Sequence, residues 1–143
     1  MYEYIDAGLE AHWSASLAEA TGLARPPFAP VVKTSGTTVY LSGQTYPIIG
    51  VSGQKPAAEA SLEEQTEACL ANIHNLVRAV GGTKDDIVKV VIYNTRMSDQ
   101  AAVNAAYLRF FDSHRPVRTH VEVSRLADPD LLIEIEATAV IDG

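Results

Sequence analysis

Apolar positions recur at helical spacing in two segments of the chain. In the first, Ser61 and Glu64 stand at the spacing of a capping box and Gly81-Gly82 supplies an end, with an apolar face made of Leu62, Thr66, Cys69, Ile73, Leu76, Val77 and Val80. In the second, Ser98 or Asp99 can begin a helix whose inward stripe is Val103, Ala106, Tyr107, Phe110 and Phe111. These patterns predict two amphipathic helices.

Runs rich in β-branched residues predict five strands. Residues 31–33 and 39–42 flank the turn residues Ser35-Gly36, which predicts a hairpin. Residues 87–93 form a nearly continuous apolar run, as in a strand covered on both faces. The last two strands, 117–123 and 131–141, alternate, and their apolar odd-numbered positions are predicted to face the core.

The order of these elements predicts an α+β fold. From residue 28 onward it is β-β-α-β-α-β-β, which we expect to form a single mixed sheet with two helices on one face. Residues 1–27 are predicted to be an N-terminal extension with a short helix that ends at Gly22, followed by the extended segment Arg25-Pro26-Pro27. Residues 28–143 are then the main domain.

Composition narrows the class of protein. The 143 residues carry 11 Lys and Arg against 18 Asp and Glu, a net charge of −7, and 47% of them are hydrophobic. One compact domain fits this length, and the acidic balance disfavours nucleic acid as a partner. The only cysteine, Cys69, cannot form an intramolecular disulfide and is expected to be a small buried residue. No run is long and apolar enough to cross a membrane, and no signal peptide is evident, so we expect a cytoplasmic protein.

Charged residues and a histidine occupy several even-numbered positions of the last two strands. Arg118 and His120 lie on one strand, and Glu134 and Glu136 lie on the next. If the two strands pair as an antiparallel hairpin, these groups share a surface, either as a charge-paired sheet face in solvent or as a functional site. An arginine fork binds a carboxylate and a glutamate orients or deprotonates water, so a functional site would add water to a small carboxylate-bearing molecule.

Other chemistry has little support in the sequence. The four histidines show no spacing typical of a metal site, and one cysteine cannot build a cysteine zinc site. No glycine-rich nucleotide-binding motif is present either. We therefore expect neither a metal nor an organic cofactor.

Several motifs in a fixed order resemble the Rid family, the YjgF-type reactive intermediate deaminases. They are Val-Tyr-Leu-Ser-Gly-Gln at 39–44, Gln-Thr at 65–66, Asn-Ile at 72–73, Val-Asn at 103–104, Tyr107 with Phe110-Phe111, the run Pro-Val-Arg-Thr-His-Val-Glu-Val-Ser-Arg-Leu at 116–126, and Ile-Glu-Ile-Glu-Ala at 133–137. The resemblance covers roughly residues 28 to 141 and implies a chorismate-mutase-like fold, assembled as a homotrimer with three clefts between subunits.

The resemblance also implies an activity. Active members hydrolyse 2-aminoacrylate or its tautomer 2-iminopropionate to a 2-keto acid and ammonia, without a cofactor. Arg118 matches the carboxylate-binding arginine and Glu134 the acidic residue that positions water, and these two are the candidate catalytic residues. Gly43 matches a backbone contributor to the pocket, and Phe28 falls near the aromatic residue that covers the substrate. Tyr93, which ends the run at 87–93, is a further candidate for substrate binding.

Two departures from the family pattern bear on the substrate. Position 28 is Phe where many deaminating members carry Tyr, and position 120 is His where members often have Cys. His120 either contacts the substrate or is a solvated strand residue. The extension with Trp13 either covers a neighbouring subunit or narrows the cleft. A specialised catabolic deaminase, of the 2-aminomuconate or aminoacrylate-peracid type, and a non-enzymatic trimer that binds small carboxylates remain alternatives. A ribonuclease role, also claimed for relatives, is disfavoured by the charge.

Overall fold

The computed structural model of the chain describes residues 2–142, without the side chain of His12. Six strands and three α-helices lie in that range, in the order β1-α1-β2-β3-α2-β4-α3-β5-β6. Their bounds are Tyr2–Ile5 (β1), Ala15–Thr21 (α1), Val31–Thr34 (β2), Thr37–Gln44 (β3), Leu62–Ala79 (α2), Ile87–Asn94 (β4), Gln100–Phe111 (α3), Val117–Glu122 (β5) and Ile133–Ile141 (β6). The α+β class and the element order predicted from residue 28 are confirmed.

The strands form two sheets rather than the single sheet that was predicted. The main sheet has the order β3-β6-β4-β5, in which β6 is antiparallel to both neighbours and β4 is parallel to the edge strand β5. β1 and β2 pair antiparallel in a separate ribbon. The predicted hairpin of β2 and β3 is therefore wrong. The backbone hydrogen bonds of β2 go to β1, and the chain at Gly36 lies so close to the end of β6 that an added Cβ would be 2.5 Å from the carbonyl oxygen of Ile141.

Helices α2 and α3 pack on one face of the main sheet, as predicted. The capping box at the start of α2 is present, with the Glu64 N–H donating to Ser61 Oγ at 3.1 Å and the Ser61 N–H donating to Glu64 Oε1 at 3.4 Å. The core between helices and sheet comprises, among others, Leu70, Ile73, Val77, Val90, Ile92, Tyr107, Phe111, Ile133 and Ile135. Cys69 is fully buried there, which confirms the expectation of a small buried residue, and burial raises the pKa of its thiol to about 12.

The two alternating strands differ in which residues they turn toward the helices. In β6 the apolar residues Ile133 and Ile135 are buried, as predicted. In β5 the prediction is wrong, because Val121 is 39% exposed while polar atoms of Arg118 and His120 are buried. The register explains the difference: Arg118 pairs with Val90 and His120 with Ile92, and both partners lie on the buried face of β4.

Candidate functional site

Arg118 lies on the helix side of the sheet, between two aromatic rings. Its guanidinium carbon Cζ is 4.8 Å from the centroid of the Tyr107 ring and 5.7 Å from that of Phe28. Its Nη1 is buried without a hydrogen-bond partner, and within residues 2–142 no carboxylate forms an ion pair with it. Burial lowers the pKa of Arg118, but an arginine keeps its proton at neutral pH. A buried cation without a carboxylate partner is chemically suited to hold an anion.

His120 lies two residues further along the same face of β5. Its Nε2 is 3.2 Å from Nδ2 of Asn94, and its Nδ1 is buried with no hydrogen-bond partner among the described residues. Burial, and to a smaller extent the charge of Arg118, lower the pKa of His120 to about 4. The imidazole is therefore neutral at pH 7, and it is not the solvated strand residue that was one of the two interpretations.

The ring of Phe28 lies against the guanidinium of Arg118. Phe28 is half-buried, and its ring meets that of Trp13 edge to face, with the centroids 6.1 Å apart. The Trp13 side chain is held in turn by a hydrogen bond of 3.0 Å from Nε1 to the carbonyl oxygen of Leu23. Helix α1 lies between Trp13 and Leu23 in the sequence. It is anchored to α3 by a hydrogen bond, in which Asn104 Nδ2 donates to the carbonyl oxygen of Thr21 at 2.9 Å. Within one chain, the extension thus lies over the site of Arg118.

Acidic residues gather on the opposite face of the sheet. Glu134 packs directly on the backbone of Gly43, where an added Cβ would be 2.0 Å from Glu134 Oε2. Beside it, the Tyr93 hydroxyl donates to Glu136 Oε1 at 2.5 Å, and this bond raises the pKa of Tyr93. These four residues and Leu126 line a surface cavity of about 320 Å³. The sequence-predicted residues Gly43, Tyr93 and Glu134 are therefore brought together.

Arg118 and Glu134, by contrast, do not share a surface in one chain. The predicted hairpin of β5 and β6 is wrong because β4 lies between these strands and pairs with both. Glu134 is opposite Tyr93 on the outer face, whereas Arg118 is opposite buried Val90 on the helix face. We call the two half-sites the arginine site (Phe28, Asn94, Tyr107, Arg118 and His120) and the glutamate site (Gly43, Tyr93, Glu134 and Glu136).

Two residues of the arginine site were missed from the sequence. Tyr107 was predicted to be core, which is confirmed by its full burial, but its contact with Arg118 was not foreseen. Asn94 follows Val90 and Ile92 on the inward positions of β4 and is itself fully buried. In a sequence, a polar residue that follows buried apolar residues at alternating positions of a strand indicates a buried polar group. Such a residue is a candidate for a site, because a buried amide needs hydrogen-bond partners.

Neither a metal site nor a membrane span is found in the part of the chain that the structure describes. Across residues 2–142, His, Cys, Asp and Glu side chains form no group of three or more that could hold a metal ion. Across the same range, no helix has the length and apolar character needed to cross a membrane.

The fold and the half-sites define an α+β protein. On one sheet face it has a buried arginine without an ion-pair partner in residues 2–142, and on the other an acidic pocket. The family model described as Endoribonuclease L-PSP matches residues 20–141. The chain belongs to this family, the YjgF/RutC or Rid proteins, as the sequence resemblance predicted.

Individual relatives are similar over most of the chain. The 2-iminobutanoate/2-iminopropanoate deaminase of Escherichia coli strain K12 is 40% identical over 108 residues, covering 73% of this chain and 80% of that protein. The crystal structure of E. coli TdcF with bound serine has 36% sequence identity and a TM-score of 0.66, and the match covers 81% of this chain and 93% of that one. A Rid-family protein of unknown function from Yersinia pestis has 28% identity and a TM-score of 0.72, with 98% of each chain covered.

Proposed function

We propose that the protein is a cofactor-independent hydrolytic deaminase of 2-imino acids and their enamine tautomers, such as 2-iminopropionate and 2-aminoacrylate. The observation that carries this proposal is the buried guanidinium of Arg118, which has no carboxylate partner among the described residues. A substrate carboxylate would supply the missing charge. A relative that bears the name 2-iminobutanoate/2-iminopropanoate deaminase supports the reaction class. The serine in the TdcF crystal, a small molecule with a carboxylate, supports the ligand class.

The reaction mainly requires that the substrate and the attacking water be held in position. Water adds to the electrophilic imine carbon and one of its protons passes to nitrogen, which gives a carbinolamine. The hydroxyl proton then passes to the amino group, ammonia leaves with the electrons of the C–N bond, and the oxygen becomes the carbonyl of the 2-keto acid. Arg118 would hold the carboxylate, and Glu134 would orient the water and take its proton. The close packing of Glu134 on Gly43 would restrict the carboxylate to one position beside the pocket.

Because the half-sites face opposite sides of the sheet, the proposal requires more than one subunit. We propose a homotrimer with clefts between subunits, in which Arg118 of one subunit meets Glu134 of the next. The outer face of the sheet exposes Tyr40 by 83% and Val121 by 39%, and an assembly that covers apolar side chains of this kind gains free energy.

Release of ammonia from 2-aminoacrylate generated in situ tests this proposal. We expect the wild type to accelerate release over buffer, and Arg118→Ala to lower kcat/KM by about a hundredfold or more, because a charged, buried contact to the substrate is lost. Arg78→Ala, which removes an exposed arginine at the end of α2, is the matched control and is expected to behave as wild type. A wild type no faster than buffer contradicts the proposal.

Measurements of binding and of substrate preference separate the alternatives. Binding of a 2-keto acid without turnover would favour a non-enzymatic carboxylate-binding trimer. A strong preference for a larger conjugated acid over 2-aminoacrylate would favour a specialised catabolic deaminase. The family description names an endoribonuclease, but a net charge of −7 opposes phosphate binding. We therefore expect no RNA cleavage after exhaustive purification, and cleavage that is lost in Arg118→Ala would contradict this.

A further inference from the structure

We propose that His120 is a second donor to the substrate carboxylate, giving a hydrogen bond from Nδ1–H beside Arg118, and that Asn94 is the positioning residue that keeps the proton on Nδ1. This inference rests on the proposed function for the presence of a carboxylate substrate. It concerns residues 94 and 120 of this chain, and position 120 departs from the family pattern.

The orientation of the Asn94 amide is fixed by the backbone. The N–H of Arg96 donates to Asn94 Oδ1 at 2.8 Å. The oxygen of the amide is thereby assigned, and the group facing His120 at 3.2 Å is the Nδ2 amino group. An amide nitrogen can only donate, so His120 Nε2 must be the acceptor in this hydrogen bond and carries no proton.

The single proton of the neutral imidazole must then lie on Nδ1. A doubly protonated ring is excluded in this arrangement, because Nε2–H and the Nδ2 amino group would be two donors facing each other. Burial and the positive charge of Arg118 act in the same direction, since both disfavour the imidazolium ion. His120 is therefore a neutral donor with a defined tautomer rather than a base.

The resulting N–H has no acceptor among the residues that the structure describes. Nδ1 of His120 and Nη1 of Arg118 are both buried and unpartnered among the described residues, and they lie two positions apart on one strand face. A buried donor without a partner costs about 1–3 kcal/mol. A carboxylate has two oxygens and can satisfy both donors at once, which neither a neutral amide nor a single carbonyl oxygen does as well.

Nitrogen NMR tests the tautomer without reference to activity. Long-range ¹H–¹⁵N correlation spectra at pH 7 are expected to show the Nδ1–H pattern for His120, assigned by its loss in His120→Asn. Asn94→Asp retains an oxygen for the Arg96 N–H and presents a second oxygen to Nε2, so the proton is expected to move to Nε2. An Nε2–H or doubly protonated His120 in the wild type would overturn the proposal.

Binding of 2-oxobutanoate, a stable 2-keto acid, tests the contact. Asn carries an amino group close to the position of Nδ1, so His120→Asn is expected to bind within about threefold of wild type, whereas His120→Leu weakens binding about tenfold. KM should rise with little change in kcat, and Asn94→Asp should resemble the Leu variant. His74→Leu, on α2, is the control. Thermal melting identifies variants that fail to fold, and His120→Asn then remains the decisive comparison.

The outcomes separate this inference from the proposed function. If the wild type binds 2-oxobutanoate through His120 but releases no ammonia, the deaminase proposal fails and the donor role stands. If the wild type turns over 2-aminoacrylate while His120→Leu binds and reacts as wild type does, the donor role fails and the deaminase proposal stands.

Discussion

The guanidinium carbon of Arg118 lies 4.8 Å from the centre of the Tyr107 ring, and the hydroxyl of that tyrosine is itself buried without a hydrogen-bond partner among the described residues. This arrangement places a charge against a fully buried aromatic side chain. Such a contact recovers only part of the cost of removing a guanidinium from water. The unliganded fold therefore bears a cost that a bound carboxylate would offset.

Replacing this charge by an apolar side chain should stabilise the protein while removing its activity. We expect Arg118→Met to raise the free energy of unfolding by roughly 1–2 kcal/mol, because a buried unpaired ion gives way to a packed apolar chain. Urea denaturation measures the change. Adding a 2-keto acid should stabilise the wild type but not the variant. A variant less stable than wild type by more than about 1 kcal/mol would contradict the account.

The opposite orientation of Arg118 and Glu134 predicts complementation between inactive variants. Arg118→Ala and Glu134→Gln, each expected to keep only a small residual activity alone, should recover activity when unfolded together and refolded as mixed assemblies. In a random closed ring with sites between neighbours, about a quarter of the interfaces pair one intact Arg118 with one intact Glu134. We therefore expect about a quarter of the wild-type rate per site.

The control is the double variant Arg118→Ala/Glu134→Gln, mixed with wild type in the same ratio. It gives the same fraction of intact interfaces, about a quarter, because only adjacent wild-type subunits form a site. If the mixture of single variants stays inactive while this control is active, both residues act within one subunit and the composite site is wrong.

The close contact between Gly43 and Glu134 predicts that a larger residue at position 43 lowers the activity while the fold is retained. A Cβ at this position would lie 2.0 Å from Glu134 Oε2, so Gly43→Ala must displace the end of a flexible, partly exposed side chain. We expect kcat to fall at least tenfold and the melting temperature to change by only a few degrees. In the background of Glu134→Gln the same change should have little further effect on kcat. Additive losses would indicate that Gly43 acts independently of Glu134.

The sequence correctly predicted the features that depend on the residue pattern within one element. It failed where the pairing of distant strands decides which face is buried. The capping box of Ser61 and Glu64 and the alternation of β6 are local, and both are confirmed. The face of β5 was mispredicted because its Val and Thr positions look like a core face. Only pairing with β4, through Val90 and Ile92, turns Arg118 and His120 inward. Register between distant strands is not visible in the pattern of a single strand.

The packing of Trp13 on Phe28 predicts that the N-terminal extension controls access to Arg118. Trp13→Ala removes the edge-to-face contact at 6.1 Å and the bond from Nε1 to the Leu23 carbonyl. We expect Arg118 to react several-fold faster with phenylglyoxal, because Phe28 loses its support. Peptide mass spectrometry measures the modification at each arginine, with exposed Arg78 as an internal reference. An unchanged ratio of the two rates would show that the extension does not restrict access.

The lowered pKa of His120 predicts a defined dependence of stability on pH. Above the ordinary value of about 6.5 the ring is neutral in both states, so its contribution is constant. Between 6.5 and about 4, the unfolded chain binds a proton that the folded protein does not, and stability falls as the pH falls. Arg118 stays charged and Asn94 does not titrate over this range.

We expect the loss to reach about 3 kcal/mol by pH 4, and His120→Asn should not show it. Denaturant unfolding from pH 7 to pH 4 measures both proteins, and subtracting the two curves removes the titration of carboxylates that they share. The difference should grow as the pH falls below 6.5, with a slope that decreases as the pH approaches 4. Parallel curves across the whole range would mean that His120 titrates normally in the folded protein, and the fixed tautomer would then lose its electrostatic support.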